Sequence, residues 1–270
     1  MKYTHLSDCH NHSNISFDAQ SSVKDMLDRA CNLGLYYYAL TDHCECNVYY
    51  EEDYHGVVRR AWDEMTRLKE EYSDKLHFLR GVELGQATQN LDAALDALDG
   101  RDYDIVLGSL HNLRNCKDFY YWDKPSYEVP EALDRYFTEI HEMLDWGKFD
   151  SLTHLTYPLR YIVGECGIPV DFTKYYDRVE SVYKKLIEKG IALEMNVSGL
   201  NQKIGETLPN AELLKMYRQM GGELITVGSD AHHADRLALG METGFDILLD
   251  AGFKYFTVFE NRKPKFITIE

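Results

Sequence analysis

The sequence predicts an α/β fold in which parallel strands curl into a barrel. Three observations lead there. Seven short runs of apolar, β-branched and aromatic residues alternate with seven stretches of helical period, the pattern of strands joined by right-handed crossovers. The chain has 270 residues, and α/β barrels of ~250 residues are common as single units. No Gly-rich phosphate loop follows any of the strand-like runs, which counts against an open nucleotide-binding sheet.

The elements are expected in the following order. A strand at 3–9 leads to a helix at 22–33, which Ser21 and Ser22 can cap and Gly34 can end. A strand at 35–41 leads to a helix at 52–73, and one at 77–83 to a helix at 89–98. After the strand at 103–108, Pro130 suits the first turn of a helix at 130–147, which Gly147 terminates. The strand at 149–153 precedes a helix at 174–189 ended by Gly190, and that at 191–196 a helix at 210–220 ended by Gly221. A seventh strand at 223–228 precedes a helix at 234–251. Residues 255–259 and 265–269 make a further β pair around Asn261 to Pro264, expected to close or cap the structure. With no repeat and no linker composition, residues 1–270 read as one domain. The stretches 44–55 and 112–129 are Tyr-rich and aperiodic, and long loops in compact domains usually carry function.

Composition narrows the function. With 29 Lys plus Arg against 45 Asp plus Glu, the net charge is -16, the wrong sign for neutralising phosphate backbones, so no nucleic-acid partner is expected. Apolar residues make up 44%, enough for a sizeable core. Six cysteines are too sparse for a disulfide scaffold, and Cys44 and Cys46 lack partners at the spacing of a thiolate zinc site. Without a signal-peptide pattern or a run near the ~20 apolar residues that cross a bilayer, a cytoplasmic protein without membrane contact is expected.

The 11 histidines are not scattered evenly. The first strand ends Asp8-Cys9-His10-Asn11-His12, and residues two apart on a strand share a face, so His10 and His12 point together. Other strand ends carry Thr41-Asp42-His43, Gly81-Val82-Glu83, Gly108-Ser109-Leu110-His111, Thr153-His154 and Ser229-Asp230-Ala231-His232. In a β/α barrel all strands present their C-terminal ends at one mouth. Six imidazoles and at least two carboxylates gathered there would compete for protons and repel unless divalent metal sat among them, and at ~4–6 contacts per ion the donors require two or three ions. His5, His55, His77 and His141 fall away from these ends, and His233 is ambiguous.

In order and spacing, His10-Asn11-His12, Asp18, Thr41-Asp42-His43, Gly81-Val82-Glu83, Ser109-Leu110-His111, His154 and Asp230-Ala231-His232 resemble the polymerase and histidinol phosphatase (PHP) superfamily over nearly the whole chain. The resemblance implies a distorted (β/α)7 TIM-like barrel holding three divalent ions, Zn, Mn or Fe. His10, His12, Glu83 and Asp230 would hold one; Glu83, His111 and His154 a second; Asp18, His43 and His232 a third, with Asp18 where other members carry His. The length, the segment Glu194 to Leu200, and Tyr217 ahead of Gly221-Gly222 are most similar to the single-domain L-histidinol-phosphate phosphatase branch. There Arg160 would bind the substrate phosphate, and Asn201, with Lys203 two further on, replaces a basic residue usual in that branch.

The implied activity is hydrolysis of a small-molecule phosphate ester, L-histidinol phosphate of histidine biosynthesis, by attack of a metal-bridging hydroxide. Asp230 or His232 would protonate the leaving alkoxide, and Arg160 would fork onto the phosphate. No cysteine nucleophile is needed. Tyr120, Tyr121 and Trp122 are candidates for a wall stacking on the imidazole of the substrate, while Asn196 and Ser198 read as strand-end turn residues. The alternatives are a related phosphoesterase acting on another small ester or on phosphotyrosine, and a metal-binding protein without turnover; the full ligand set speaks against the last. Oligomeric state is not set by the sequence.

Overall fold

The computed structural model describes residues 2–270. Its centre is a parallel sheet formed by β1 (Tyr37–Leu40), β2 (His43–Glu45), β3 (His77–Gly85), β4 (Ile105–Ser109), β5 (Ser151–Leu152), β6 (Ala192–Asn196) and β7 (Ile225–Gly228). The order is β1-β3-β4-β5-β6-β7, and β2 extends the line of β1 beside β3, with His43 opposite Glu83. Most strand residues are buried on both faces, as expected of a sheet enclosed by helices.

The seventh stave is the N-terminal segment, which closes the ring between β1 and β7. On one side Asp8 N donates to Tyr37 O and Ala39 N to Asp8 O; on the other Cys9 N donates to Val227 O, Asp230 N to His10 O and His12 N to Ala231 O. The regular strand expected at 3–9 is absent. Only single bridges occur, Asp8 to Tyr38 and Asn11 to Ala231, because side chains take over the ladder. Asn11 Nδ2 donates to the carbonyls of Asp8 and Ala39, and the Asp8 carboxylate accepts from Ser229 N and Ala238 N.

Outside lie α1 (Val23–Leu33), α2 (Tyr54–Tyr72), α3 (Leu91–Leu98), α4 (Val129–Trp146), the short α5 (Tyr157–Leu159), α6 (Tyr176–Lys189), α7 (Ala211–Gln219) and α8 (Met241–Ala251). Ser22 caps α1 in a capping box with Asp25, while Ser21 instead accepts from Ala234 N. Gly34, Gly147 and Gly190 end their helices in the left-handed conformation, as expected. The helix expected from 234 begins only at Met241. Left-handed backbone at Ala238 and Gly240 breaks the period after a single 3₁₀ turn at Ala234–Arg236. Also unforeseen are α5 and the π-helical turn Arg160–Glu165 that continues it.

An antiparallel hairpin, β8 (Tyr255–Glu260) and β9 (Lys263–Thr268), turns at Asn261-Arg262, both at positive φ, so Pro264 lies within the strand and not in the turn. It caps the bottom of the barrel: Arg262 N donates to Asp104 O and its side chain pairs with Asp150, both residues just ahead of strands. The opposite, C-terminal mouth is left for chemistry. Among the described residues no helix is long and apolar enough to cross a membrane.

Candidate metal centre and substrate cleft

Donors converge on one mouth from the N-terminal segment, from β2 and β3, and from the ends of β4, β5 and β7, while β6 brings none of the expected ligands. Glu83, fully buried near the end of β3, lies at the middle: its Oε1 is 3.0 Å from His154 Nε2 and 3.2 Å from His111 Nε2, and its Oε2 is 2.8 Å from His43 Nδ1, 3.4 Å from His10 Nε2 and 3.6 Å from His12 Nε2. Asp230 Oδ1 lies 3.3 Å from His12 Nε2 and 3.7 Å from His10 Nε2. Asp18 reaches in from the segment after the first stave, 3.2 Å from His232 Nε2 and 3.7 Å from His43 Nε2. The nine residues singled out as ligands from the sequence thus form one cluster. Four triplets bring ligand atoms within 4.8 Å of one another: His12-His43-His232, His10-His12-Glu83, His10-His154-Asp230 and His43-Glu83-His111.

The chemistry of these donors fits divalent cations. His10 Nε2, both ring nitrogens of His12 and Glu83 Oε2 are buried without a hydrogen-bond partner, and buried polar atoms seldom stay unpaired unless something else engages them. Two ligand candidates also sit on left-handed backbone, His154 at φ 22° and Asp230 at φ 56°, a strain that persists only where surrounding contacts enforce it.

The family model of the PHP domain matches residues 8–198. The chain belongs to the PHP domain family. Similar proteins include a probable histidinol-phosphatase of Clostridium acetobutylicum, 28% identical with 96% of this chain and 98% of that one covered, and a probable histidinol-phosphatase of Thermotoga maritima, 28% identical with 93% and 94% covered. Among solved structures, histidinol phosphate phosphatase of Lactococcus lactis, complexed with zinc, L-histidinol and phosphate, superposes with a TM-score of 0.80 at 22% identity, covering 97% of this chain and 99% of that one.

In this PHP domain the charges of the cluster's side chains are in conflict. Burial, with His43 and His232 alongside, drives His12 well below the ordinary imidazole pKa. In His43, whose ring centroid is 4.1 Å from that of His12, burial is outweighed by Glu83 and Asp18 and the pKa is pushed well up. Burial is likewise outweighed in His10 by Glu194, Glu83 and Asp230, and in His111 by Glu45 and Glu83. Burial opposes ionisation of Glu83 and Asp230 too, yet the imidazoles hold both well below the carboxylate range. Stacked rings pushed in opposite directions around carboxylates are what cations relieve.

Above the cluster opens a cleft of about 640 Å³ whose lining includes Asp18, His43, His111, His154, Asp230 and His232 together with Arg160, Lys117 and several tyrosines. Arg160, on the π-turn, is buried. Its Nη2 donates to Ser198 Oγ at 2.6 Å and to Asp230 Oδ2 at 3.2 Å, the Cζ lies 5.2 Å from the Tyr157 ring centroid, and the Nε has no partner. Tyr120 and Tyr121 line the cleft; Trp122 does not, because it stacks on Phe119 behind them. Asn201 is not among the lining residues and Gln202 takes that place, while Lys203 pairs with Glu165. His233 is not among them either. The two aperiodic stretches form two of the walls: Asn47, Glu52 and Tyr54 from the first, and Cys116, Lys117, Asp118, Tyr120 and Tyr121 from the second.

Three contributors escaped the sequence reading. Glu45 accepts from His111 Nδ1 at 2.9 Å, and Glu194 from His10 Nδ1 at 2.6 Å. A signal existed for each: Glu45 shares a strand face with His43 two residues earlier, and Glu194 is an acid inside an otherwise apolar strand. Gln86 donates to Glu45 and Asn112 and accepts from His111 N, for which only the structure gives a reason. Asn196 and Ser198, expected as plain turn residues, hold Asp230 and Arg160 respectively.

Proposed function

We propose that this PHP domain is a phosphomonoesterase that hydrolyses L-histidinol phosphate to L-histidinol and phosphate. The observation that carries the reading is the unpaired imidazole and carboxylate cluster lying directly under a cleft with a buried, anchored arginine. Relatives with that name align over at least 93% of this chain, and the Lactococcus lactis protein holds zinc and both reaction products.

We assign His10, His12, Glu83 and Asp230 to one ion, Glu83, His111 and His154 to a second, and Asp18, His43 and His232 to a third. Zinc, manganese and iron all suit such mixed imidazole and carboxylate sets. Bound there, divalent ions supply an acidified water and draw charge from the phosphoryl oxygens. The remaining work belongs to the chain. Glu83, between five imidazoles, would serve as a ligand shared between ions. Arg160 uses Nη2 to anchor itself on Ser198 and Asp230, which leaves its other edge for a phosphate. The leaving alkoxide takes its proton where Asp230 and His232 meet at the cleft edge, His232 Nδ1 being 3.8 Å from Asp230 Oδ1. Tyr120 and Tyr121 provide a face for the organic part of the substrate, and acids such as Glu52 and Asp118 on the cleft wall suit its cationic groups.

One observation favours the runner-up, another small phosphate ester or phosphotyrosine: Asn201 brings no charge, and Lys203 is committed to Glu165. A panel of L-histidinol phosphate, p-nitrophenyl phosphate, nucleoside monophosphates and a phosphotyrosine peptide, each with and without chelator, separates the two. The expected result is chelator-sensitive phosphate release with kcat/KM highest for histidinol phosphate. A flat panel removes the substrate, and chelator-insensitive turnover removes the metal chemistry.

A further inference from the structure

We propose that Glu194, which lies outside the assigned ligand set, is a positioning residue that presets two of the ligands, His10 and His154, before metal arrives. The proposal rests on the metal-holding reading above. Glu194 sits on β6 with its side chain 1% exposed, and it faces only donors. Its Oε1 accepts a hydrogen bond from His10 Nδ1 at 2.6 Å; its Oε2 accepts from the backbone N of His154 at 2.9 Å and from Asn196 Nδ2 at 3.2 Å.

Each contact acts on a different part of the centre. A proton held on His10 Nδ1 leaves the Nε2 lone pair aimed at Glu83 Oε2, 3.4 Å away, and Asp230 Oδ1, 3.7 Å away. Among the described residues, His10 Nε2 and Glu83 Oε2 have no hydrogen-bond partner, which is the arrangement a cation completes. The bond to His154 N lies at the residue whose φ is 22°, a strained conformation that needs outside support. Asn196 passes the connection on, since its Nδ2 also reaches Asp230 Oδ2 at 3.4 Å. Glu194 therefore touches or indirectly holds every member of the His10-His154-Asp230 triplet.

The neighbouring strand is shaped for this pair. A Cβ on Gly228 would lie 2.3 Å from His10 Cβ and 2.8 Å from Glu194 Oε1, so only glycine on β7 leaves room for the imidazole and the carboxylate together. Only a carboxylate meets the demand on Glu194, because it accepts on both oxygens. A glutamine of the same shape would accept on one and turn an NH2 toward the donors on the other.

The test is Glu194→Gln with zinc alone as probe. Zinc affinity is read by competition with a chromogenic chelator, and the His10 ring by long-range ¹⁵N spectra of the zinc-loaded wild type. The variant is expected to bind the ion at the His10 position roughly 10–100-fold more weakly while at least one other ion keeps its affinity. Excess zinc should then restore kcat with KM little changed. In the wild type, His10 is expected to carry its proton on Nδ1 and ligate through Nε2. Wild-type affinity for every ion in the variant, or ligation of zinc through His10 Nδ1, overturns the proposal. If the variant does not fold, the wild-type ring spectrum alone decides. Wild-type protein that binds no zinc would instead remove the metal reading on which the proposal rests.

Discussion

Replacing Arg160 by Ala is the perturbation whose consequences the structure constrains most tightly. The guanidinium is already desolvated and fixed by Ser198, Asp230 and the Tyr157 ring, so binding phosphate costs it little further order. Losing a preorganised charged donor of this kind typically costs about 3 kcal/mol in the transition state, or roughly 10²-fold in kcat/KM. Part of that loss is ground-state anchoring, so KM should rise. The same change strips Asp230 Oδ2 of its ion-pair partner, and a buried carboxylate left alone is destabilising. A divalent ion held by Asp230 would compensate that charge. The metal-free variant should therefore melt well below wild type, whereas the zinc-loaded variant should recover most of the difference. The assay is steady-state phosphate release at saturating zinc, with zinc content measured on the same samples. Arg160→Lys, which keeps the charge but not the fork, should fall between the two. A kcat/KM within about threefold of wild type, or zinc lost in proportion to activity, would refute phosphate binding and leave Arg160 as a prop for Asp230.

Three further outcomes are expected. Dialysis against a strong chelator should abolish phosphate release and lower the melting temperature, both returning with zinc; a melting curve indifferent to chelator would mean the ring nitrogens of the cluster hold nothing. Gly228→Ala forces a Cβ into the His10 and Glu194 side chains and should lower zinc stoichiometry together with stability, as checked by metal analysis and thermal melting. Ser22→Ala removes the N-cap of α1, a side chain whose hydrogen bonds go to Asp25, and should cost about 1 kcal/mol, or ~2–4 °C in melting temperature, with kcat/KM unchanged; a change in activity would show that α1 communicates with the mouth.

Much of the candidate site was legible before any coordinates because its donors occur at strand ends, and a parallel β/α barrel leaves strand ends nowhere to go except one rim. His10 and His12 two apart, His43 after β1, Glu83 within β3 and Asp230 with His232 after β7 all follow from that one rule. Helix ends were legible for a similar reason, since Gly34, Gly147 and Gly190 adopt a backbone that other residues avoid. Where the local rule failed, a long-range contact had replaced a local one. The segment 3–9 has strand-like residues, but Asp8 and Asn11 spend their side chains on neighbouring backbone and leave only isolated bridges. The helix expected from residue 234 waits until Met241 because Ala238 donates its N–H to Asp8, 230 residues away.

The linear order of residues therefore settled the architecture, the charge and the choice of candidate metal donors, all of which depend on spacing along one element or on composition. Tertiary structure alone decided which groups orient those donors. Glu194 and Glu45 meet their histidines across 184 and 66 residues, and Arg160 meets Ser198 and Asp230 across 38 and 70. A hydrogen bond between distant segments leaves no periodicity in sequence; it exists only because the barrel brings side chains of separate segments into hydrogen-bonding distance at its mouth, where burial makes each such bond hard to forgo.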